Sequence, residues 1–198
     1  NKQINGITDE INNAVRILRN LPKILAQEEA TKRLLERQGP LAKASLLPLE
    51  ERKTLWHDAS VKSGYLAFLQ GAATGLDTDA IWIVNAAGDC IAASNSASPA
   101  SFTGSNFAER EYFKQARSGD VGHQYAVGKV SKIPGLYYSY PVKDKQGAFL
   151  GAVVVKRDIS AFQRWTQPNQ AFLADDNGVI VLAEDPKLMF KTLAGATV

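Results

Sequence analysis

Five consecutive residues, Gly151-Ala152-Val153-Val154-Val155, carry no polar side chain. Successive side chains of a strand point to opposite faces. A strand that is apolar at every position therefore needs cover on both sides, which is the pattern of a central strand. A chain with such a strand must supply two layers to sandwich its sheet. One layer is written at the N-terminal end. Ile4, Ile7, Ile11, Ala14, Leu18, Leu21 and Leu25 recur at alternating spacings of three and four, a heptad seam on one side of a helix. Lys2, Asn5, Asp9, Asn12, Arg16 and Arg19 fall opposite it. The pattern predicts a long amphipathic helix that continues through Glu28–Gln38, bends at Pro22 and stops near Gly39-Pro40. Three heptads fit packing on the protein's own sheet and pairing with a second copy alike. The first reading is preferred, and a homodimer through this helix is carried as an expectation.

A second helix is expected from Leu49 to Gln70, with Pro48 where a helix tolerates proline best. Strand signals follow. Ala80–Asn85 and Cys90–Ser94 flank an Ala-Ala-Gly-Asp turn. A Ser/Ala/Pro-rich loop spans residues 95–105, and Phe107–Arg117 reads as a helix stopped at Ser118-Gly119. Strands are predicted at His123–Val130, Leu136–Val142 and Ala148–Arg157, separated by Pro134-Gly135 and Gln146-Gly147 turns. Asp158–Trp165 reads as a short linking helix. The pattern then restarts, with strands Ala171–Ala174 and Val179–Ala183 about an Asp175–Gly178 turn, and a helix from about Pro186 to Leu193.

The expected fold class is α+β. A long N-terminal helix and connector (1–48) precede an antiparallel β-β-α-β-β-β module (49–158). A partial or reduced second module (159–198) begins in the same way.

The composition narrows the chemistry. The 198 residues carry a net charge of +3, too small an excess to argue for nucleic acid. With 45% hydrophobic and 22% charged residues, the chain has ordinary globular composition and length enough for a real core. Its one cysteine, Cys90, permits no intrachain disulfide. Only two histidines, His57 and His123, are present, and no zinc or haem spacing exists. Gly122–Lys129 differs from a P-loop in its glycine spacing, and Val130 replaces the magnesium-binding hydroxyl. No catalytic residues, metal ligands or cofactors are therefore assigned. The longest apolar runs fall far below the ~18 residues of a membrane span. The first residue is Asn1 and not Met, so the chain is expected to be a piece of a longer protein whose membrane segments lie outside it.

Three signals converge on the first module. Gly104–Phe113 (GSNFAEREYF) is expected to place Arg110, Tyr112 and Phe113 in the opening turns of a helix. A helix start offers free N–H groups, and the arginine fork suits a carboxylate. Leu136–Pro141 (LYYSYP) supplies several phenols. Val153–Asp158 (VVVKRD) ends an apolar strand in Lys156 and Asp158, which share a face. Each signal has a plainer reading. Arg110 then pairs with Glu109, Glu111 or Asp158, and Lys156 marks where the strand meets water. Taken together, an anion pocket is the expectation.

At this point the chain resembles the double Cache family, PAS-like extracytoplasmic sensors of bacterial receptors. The resemblance rests on the element order and on Gly-x-Asn-Phe-x-x-Arg-x-Tyr-Phe-x-x-Ala from Gly104 to Ala116. It extends through Ala126-Val127-Gly128, Pro134-Gly135-Leu136, Ser139-Tyr140-Pro141-Val142, Leu150–Val155, Asp158-Ile159-Ser160 and Leu173–Ile180. Lys156 before Asp158 points to the dicarboxylate sensor kinases of the DctB type. The resemblance implies a periplasmic sensor, tethered to the inner membrane by spans outside this piece, with a membrane-distal ligand module and a membrane-proximal one. It implies a small organic anion as ligand. Arg110 and Lys156 would grip carboxylates, Tyr112, Tyr138, Ser139 and Tyr140 would line the pocket, and Asp158 would sit at its rim. In amino-acid-binding members an aspartate near Asp158 meets an α-amino group instead. Two positions depart from the pattern. Lys129-Val130 stands where small hydroxyl residues are expected, so Lys129 adds a third cation or fills the pocket, and Phe107 stands where tyrosine is common. The alternatives are an amino-acid or other small-molecule sensor on a cyclase or chemoreceptor, and a ligand-free dimerisation module.

Overall fold

The computed structural model describes residues 2–38, 42–57, 63–166, 171–174 and 177–195. At its centre is an antiparallel five-stranded sheet in the order β2-β1-β5-β4-β3. The strands are β1 (Ala80–Asn85), β2 (Cys90–Ala93), β3 (Gly122–Val127), β4 (Pro134–Lys143) and β5 (Phe149–Asp158). The all-apolar run lies in β5, the middle strand, paired with β1 on one side and β4 on the other. Residues 151–156 are all buried.

The two faces of β5 meet different layers, as its two-residue alternation requires. On the back, Val153 and Val155 join Ile81, Ile83, Leu18, Leu21 and Leu25 in one core. Helix α1 (Lys2–Gln27) lies across this face, with α2 (Glu29–Gln38) beyond it. Burial of each such leucine contributes about 1.5–3 kcal/mol. On the front, Ala152 and Val154 meet Trp82, Phe102, Phe107, Tyr112, Phe113 and Tyr137 in a second, aromatic core. Helix α5 (Glu111–Ser118) and the loop before it cover that side. The seam thus packs on the protein's own sheet at Leu18, Leu21 and Leu25. The side chains of Ile4 and Ile7 lie outside the described residues.

Several boundaries differ from the sequence expectation. The long helix runs through Pro22 and is interrupted instead at Glu28. There the Leu25 carbonyl accepts from the Thr31 hydroxyl at 2.7 Å and from the Glu28 N–H at 3.3 Å. The expected stop at Gly39-Pro40 lies outside the described residues. The single helix expected over Leu49–Gln70 is two, α3 (Leu49–Trp56) and α4 (Ser63–Gly75), with 58–62 outside the described residues. Helix α5 starts at Glu111 and not at Phe107, because Asn106 Oδ1 accepts from the Ala108 N–H and Phe107 N–H donates to the Gly88 carbonyl. Those bonds hold residues 106–108 in a loop. Its far end is as expected, with Gly119 left-handed at φ 103° and its N–H on the Ala116 and Gln115 carbonyls.

After β5 the chain makes a 3₁₀ turn (Ile159–Phe162), α6 (Gln163–Thr166) and a two-stranded sheet of β6 (Phe172–Ala174) and β7 (Ile180–Ala183). The helix expected over Pro186–Leu193 is a single 3₁₀ turn at Pro186–Leu188, followed by a bridge from Thr192 to Val179. Val181 and Leu182 share the back core with Phe162 and Trp165. Trp165 Nε1 donates to Glu10 Oε2 at 2.7 Å, which ties α6 to α1. Among the described residues no helix is long and apolar enough to cross a membrane.

Candidate functional site

The site is built on the front face, where β4 and β5 run antiparallel with Tyr137 directly opposite Lys156. That register fixes which phenols belong to it. Tyr137, and every second residue from it, faces Lys156; Tyr138 and Tyr140 face the other way. Tyr138 lines a cleft of about 590 Å³ between α1, β3, β4 and β7 with Ile11, Tyr125 and Val181, and Tyr137 and the α5 residues Glu111 and Gln115 also line it. Tyr140 packs against the back core with Lys23 Nζ 6.0 Å from its ring centroid. Of the expected lining residues, Tyr138 and Tyr140 are thus not brought together with Arg110 and Lys156. Tyr137, absent from the expected set, is. Ser139 is on the front face, but its hydroxyl is spent on the Tyr112 carbonyl at 2.7 Å.

Arg110 stands immediately before α5, extended at φ −75° and ψ 138°. From there its guanidinium carbon lies 5.7 Å from the Tyr137 ring centroid. One nitrogen, Nη2, donates to the Val127 carbonyl at 2.7 Å. Its Nε is buried and makes no hydrogen bond. Among the described residues no carboxylate lies within ion-pair distance of Arg110, so the plainer pairing with Glu109, Glu111 or Asp158 is not what the structure shows. The Tyr112 ring stacks on Tyr137 at 5.2 Å and 7°, and its buried hydroxyl makes no hydrogen bond of acceptable geometry. Burial pushes the Tyr112 phenol well above its ordinary pKa, and the Arg110 charge only partly offsets this. Burial likewise pushes Tyr137 up to about 12, against the pull of Arg110. At neutral pH both phenols are therefore protonated and can donate to an anion.

Lys156 does not mark where the strand meets water; it is 2% exposed. Its ammonium pairs with Asp158, donates to Ser131 Oγ at 3.1 Å and lies 5.9 Å from the Tyr137 ring centroid. Gly135 makes room for it: a Cβ there would sit 3.0 Å from Lys156 Cε and 2.6 Å from the Arg157 carbonyl. Lys129 is at the rim. It donates to Glu109 at 2.6 Å and to the Asn106 carbonyl at 2.8 Å, so the turn after β3 is clasped down over the box. Burial would raise the Glu109 carboxyl, but the hydrogen bond and charge of Lys129, with Arg110, hold it below its ordinary pKa. Phe107 is buried among the front aromatics, tilted at 5.7 Å from Trp82. The arrangement is a small aromatic box with two phenols, a guanidinium that has no carboxylate partner among the described residues, and a buried ion pair.

No signal within Leu136–Pro141 singles out Tyr137, because alternation gives two sets of residues and only the β4–β5 register decides which set faces Lys156.

This architecture has relatives. A profile of the Cache domain family matches residues 2–195. The chain is 32% identical over 126 residues to the C4-dicarboxylate transport sensor protein DctB of Rhizobium meliloti, covering 63% of this chain and 20% of that protein. It is 33% identical over 107 residues to the protein of the same name from Pseudomonas aeruginosa, covering 53% and 17%. The chain thus spans about a fifth of the length of these relatives. The crystal structure of the Vibrio cholerae histidine kinase DctB sensor domain superposes with a TM-score of 0.74 at 22% identity, over 99% of this chain and 69% of that one. The chain belongs to the Cache domain family, and within it is similar to the DctB-type sensor domains.

Proposed function

We propose that this chain is the extracytoplasmic ligand-sensing part of a membrane-bound sensor kinase, and that the front-face box binds a small organic carboxylate. The single observation that carries the reading is Arg110, a guanidinium with no carboxylate partner among the described residues and a buried Nε making no hydrogen bond. A partly buried charge left in that state costs stability unless a ligand completes it. The dicarboxylates named for the relatives are the first compounds to try. Under this reading residues 49–158 form the membrane-distal ligand module, and 159–198 begin a membrane-proximal one. The seam of α1 reports the ligand toward a second copy and across the membrane. The domain performs no chemistry of its own.

Calorimetry of the chain against acetate, lactate, succinate, malate and amino acids tests the reading. At least one carboxylate should bind. Arg110→Ala should weaken that ligand by about 1.5–3 kcal/mol, roughly tenfold to 150-fold. Equal affinity in the variant would remove Arg110 from the role, and no carboxylate binding at all would overturn the proposal.

A further inference from the structure

The loop that carries Arg110 into the box is held by a hairpin turn on another part of the sheet. Gly88 and Asp89, between β1 and β2, lie against residues 104–108 of that loop. A Cβ on Gly88 would sit 2.7 Å from the Ala108 nitrogen, and the Gly88 carbonyl accepts from the Phe107 N–H at 2.8 Å. Asp89 is 0% exposed. Its Oδ1 accepts from the Asn106 amide at 2.8 Å, and its Oδ2 makes no hydrogen bond. The Arg52 Nε is 4.0 Å from Oδ1. A carboxylate buried with so few partners costs stability. The turn itself does not ask for one, because Asn85 Oδ1 already accepts from the N–H groups of Ala87 and Asp89.

What the Asp89 side chain does is orient Asn106. An amide side chain carries an acceptor oxygen and a donor nitrogen of nearly the same shape, and a carboxylate only accepts. Asp89 therefore turns the Asn106 nitrogen toward itself and toward the Ala87 carbonyl at 3.0 Å. That leaves Asn106 Oδ1 for the Ala108 N–H at 3.0 Å. This last bond keeps residues 106–108 out of the helix, so that Arg110 stays extended immediately before α5. Two further contacts fasten the same stretch. The Asn106 carbonyl takes Lys129 at 2.8 Å, and the Gly104 carbonyl takes the Arg52 Nε at 2.7 Å.

We propose that Asp89 is a positioning residue: through the Asn106 amide it holds the loop in the place that sets the Arg110 guanidinium against the Tyr137 ring. Its effect on a ligand rests on the carboxylate reading above, which it deepens. Its effect on Arg110 needs no ligand and is read separately.

The test uses Asp89→Ala, which removes the acceptor, and Asp89→Asn, which keeps an acceptor oxygen for Asn106 and removes only the charge. Each is verified as folded by its melting transition. The guanidinium carbon lies 5.7 Å from the Tyr137 ring centroid, so Arg110 side-chain protons should show a nuclear Overhauser contact to that ring in the wild type. Asp89→Ala should lose the contact and Asp89→Asn should keep it. By calorimetry, the tightest binder among succinate, malate and lactate should weaken at least about tenfold in Asp89→Ala and stay within about threefold in Asp89→Asn. A residue that only stabilised the fold would leave the contact intact in the folded protein. Absence of the contact from the wild type, or its persistence in Asp89→Ala, therefore overturns the proposal. So does an Asp89→Asn variant that behaves like Asp89→Ala, since the bond to Asn106 is then not the route. Should Asp89→Ala not fold, Asn106→Ala cuts the same bond from the loop side and is read by the same contact. Failure of all three acids to bind the wild type counts against the carboxylate reading, and the Arg110–Tyr137 contact still decides the role of Asp89.

Discussion

The two faces of one sheet are built from the same strands and do opposite things with them. The back face is aliphatic. Val153, Val155, Ile81 and Ile83 meet Leu18, Leu21 and Leu25, and a nearby polar pair, Thr31 and Tyr65, is joined at 2.6 Å. The front face is aromatic, centred on Trp82, Tyr112 and Tyr137, and it keeps Arg110 Nε, Tyr112 Oη and Trp82 Nε1 buried without hydrogen bonds. Folding disfavours such groups, since each forfeits its bonds to water. Under the proposed function the back face supplies stability and the front face retains polar groups that a ligand can complete. A strand two residues out of phase would keep this division; a slip of one would exchange the faces.

Four measurements can break or sharpen that contrast. Phe162→Ala, in the back core, should cost about 3–5 kcal/mol in chemical denaturation, the usual range for a buried phenylalanine. Ligand affinity of the folded fraction should stay within about twofold, and a tenfold loss would show that the faces are not separable. Next in size is Gly135→Ala. The new methyl would meet the Arg157 carbonyl and the Lys156 stem, so a cost of about 1–3 kcal/mol is expected, together with weaker ligand binding. Loss of stability with binding intact would mean that the position of Lys156 is immaterial to the ligand. Smaller still is the contrast between neighbours. Tyr137→Phe should weaken a bound carboxylate by about 0.5–1.5 kcal/mol, whereas Tyr138→Phe should leave it unchanged. The reverse result would put the ligand on the Tyr138 side of β4.

That last contrast marks the limit of what the sequence reveals. The central strand, the two covering layers, the seam at Leu18, Leu21 and Leu25, and the stop at Gly119 all follow from local patterns, because periodicity and turn chemistry are local. So does the nomination of Arg110 and Lys156, although not their state. The sequence offers Asp158 and Glu109 equally to every nearby cation, and only three dimensions assign Asp158 to Lys156 and Glu109 to Lys129. Tyr137 and Tyr138 are chemically identical and adjacent, so their roles depend wholly on which one β5 places opposite Lys156. Register between strands is a long-range property, and no spacing within Leu136–Pro141 encodes it. The start of α5 at Glu111 differs from the sequence expectation for a related reason. Residues 107–110 have the composition of a helix but are held by Gly88 and Asn106, the first of them across the turn of another hairpin.

The smallest effect compares one phenol from each side. Burial raises both Tyr65, beside the back core, and Tyr137, on the front, to about 12. A phenol whose folded pKa lies above its unfolded value of 10 is neutral in both states at lower pH, so its contribution to stability is complete there. As pH rises past 10 the unfolded chain ionises first, and stability should fall between about pH 10 and 12. The two phenols differ in what opposes the rise. For Tyr65 it is a hydrogen bond with Thr31; for Tyr137 it is the charge of Arg110. Arg110→Ala should therefore move the Tyr137 titration to still higher pH and leave that of Tyr65 in place. Phenolate absorbance can follow each one, with Tyr137→Phe and Tyr65→Phe identifying which titration is which. If Arg110→Ala leaves both titrations where they were, the guanidinium does not act on the front aromatics, and the chemical contrast between the two faces loses its electrostatic half.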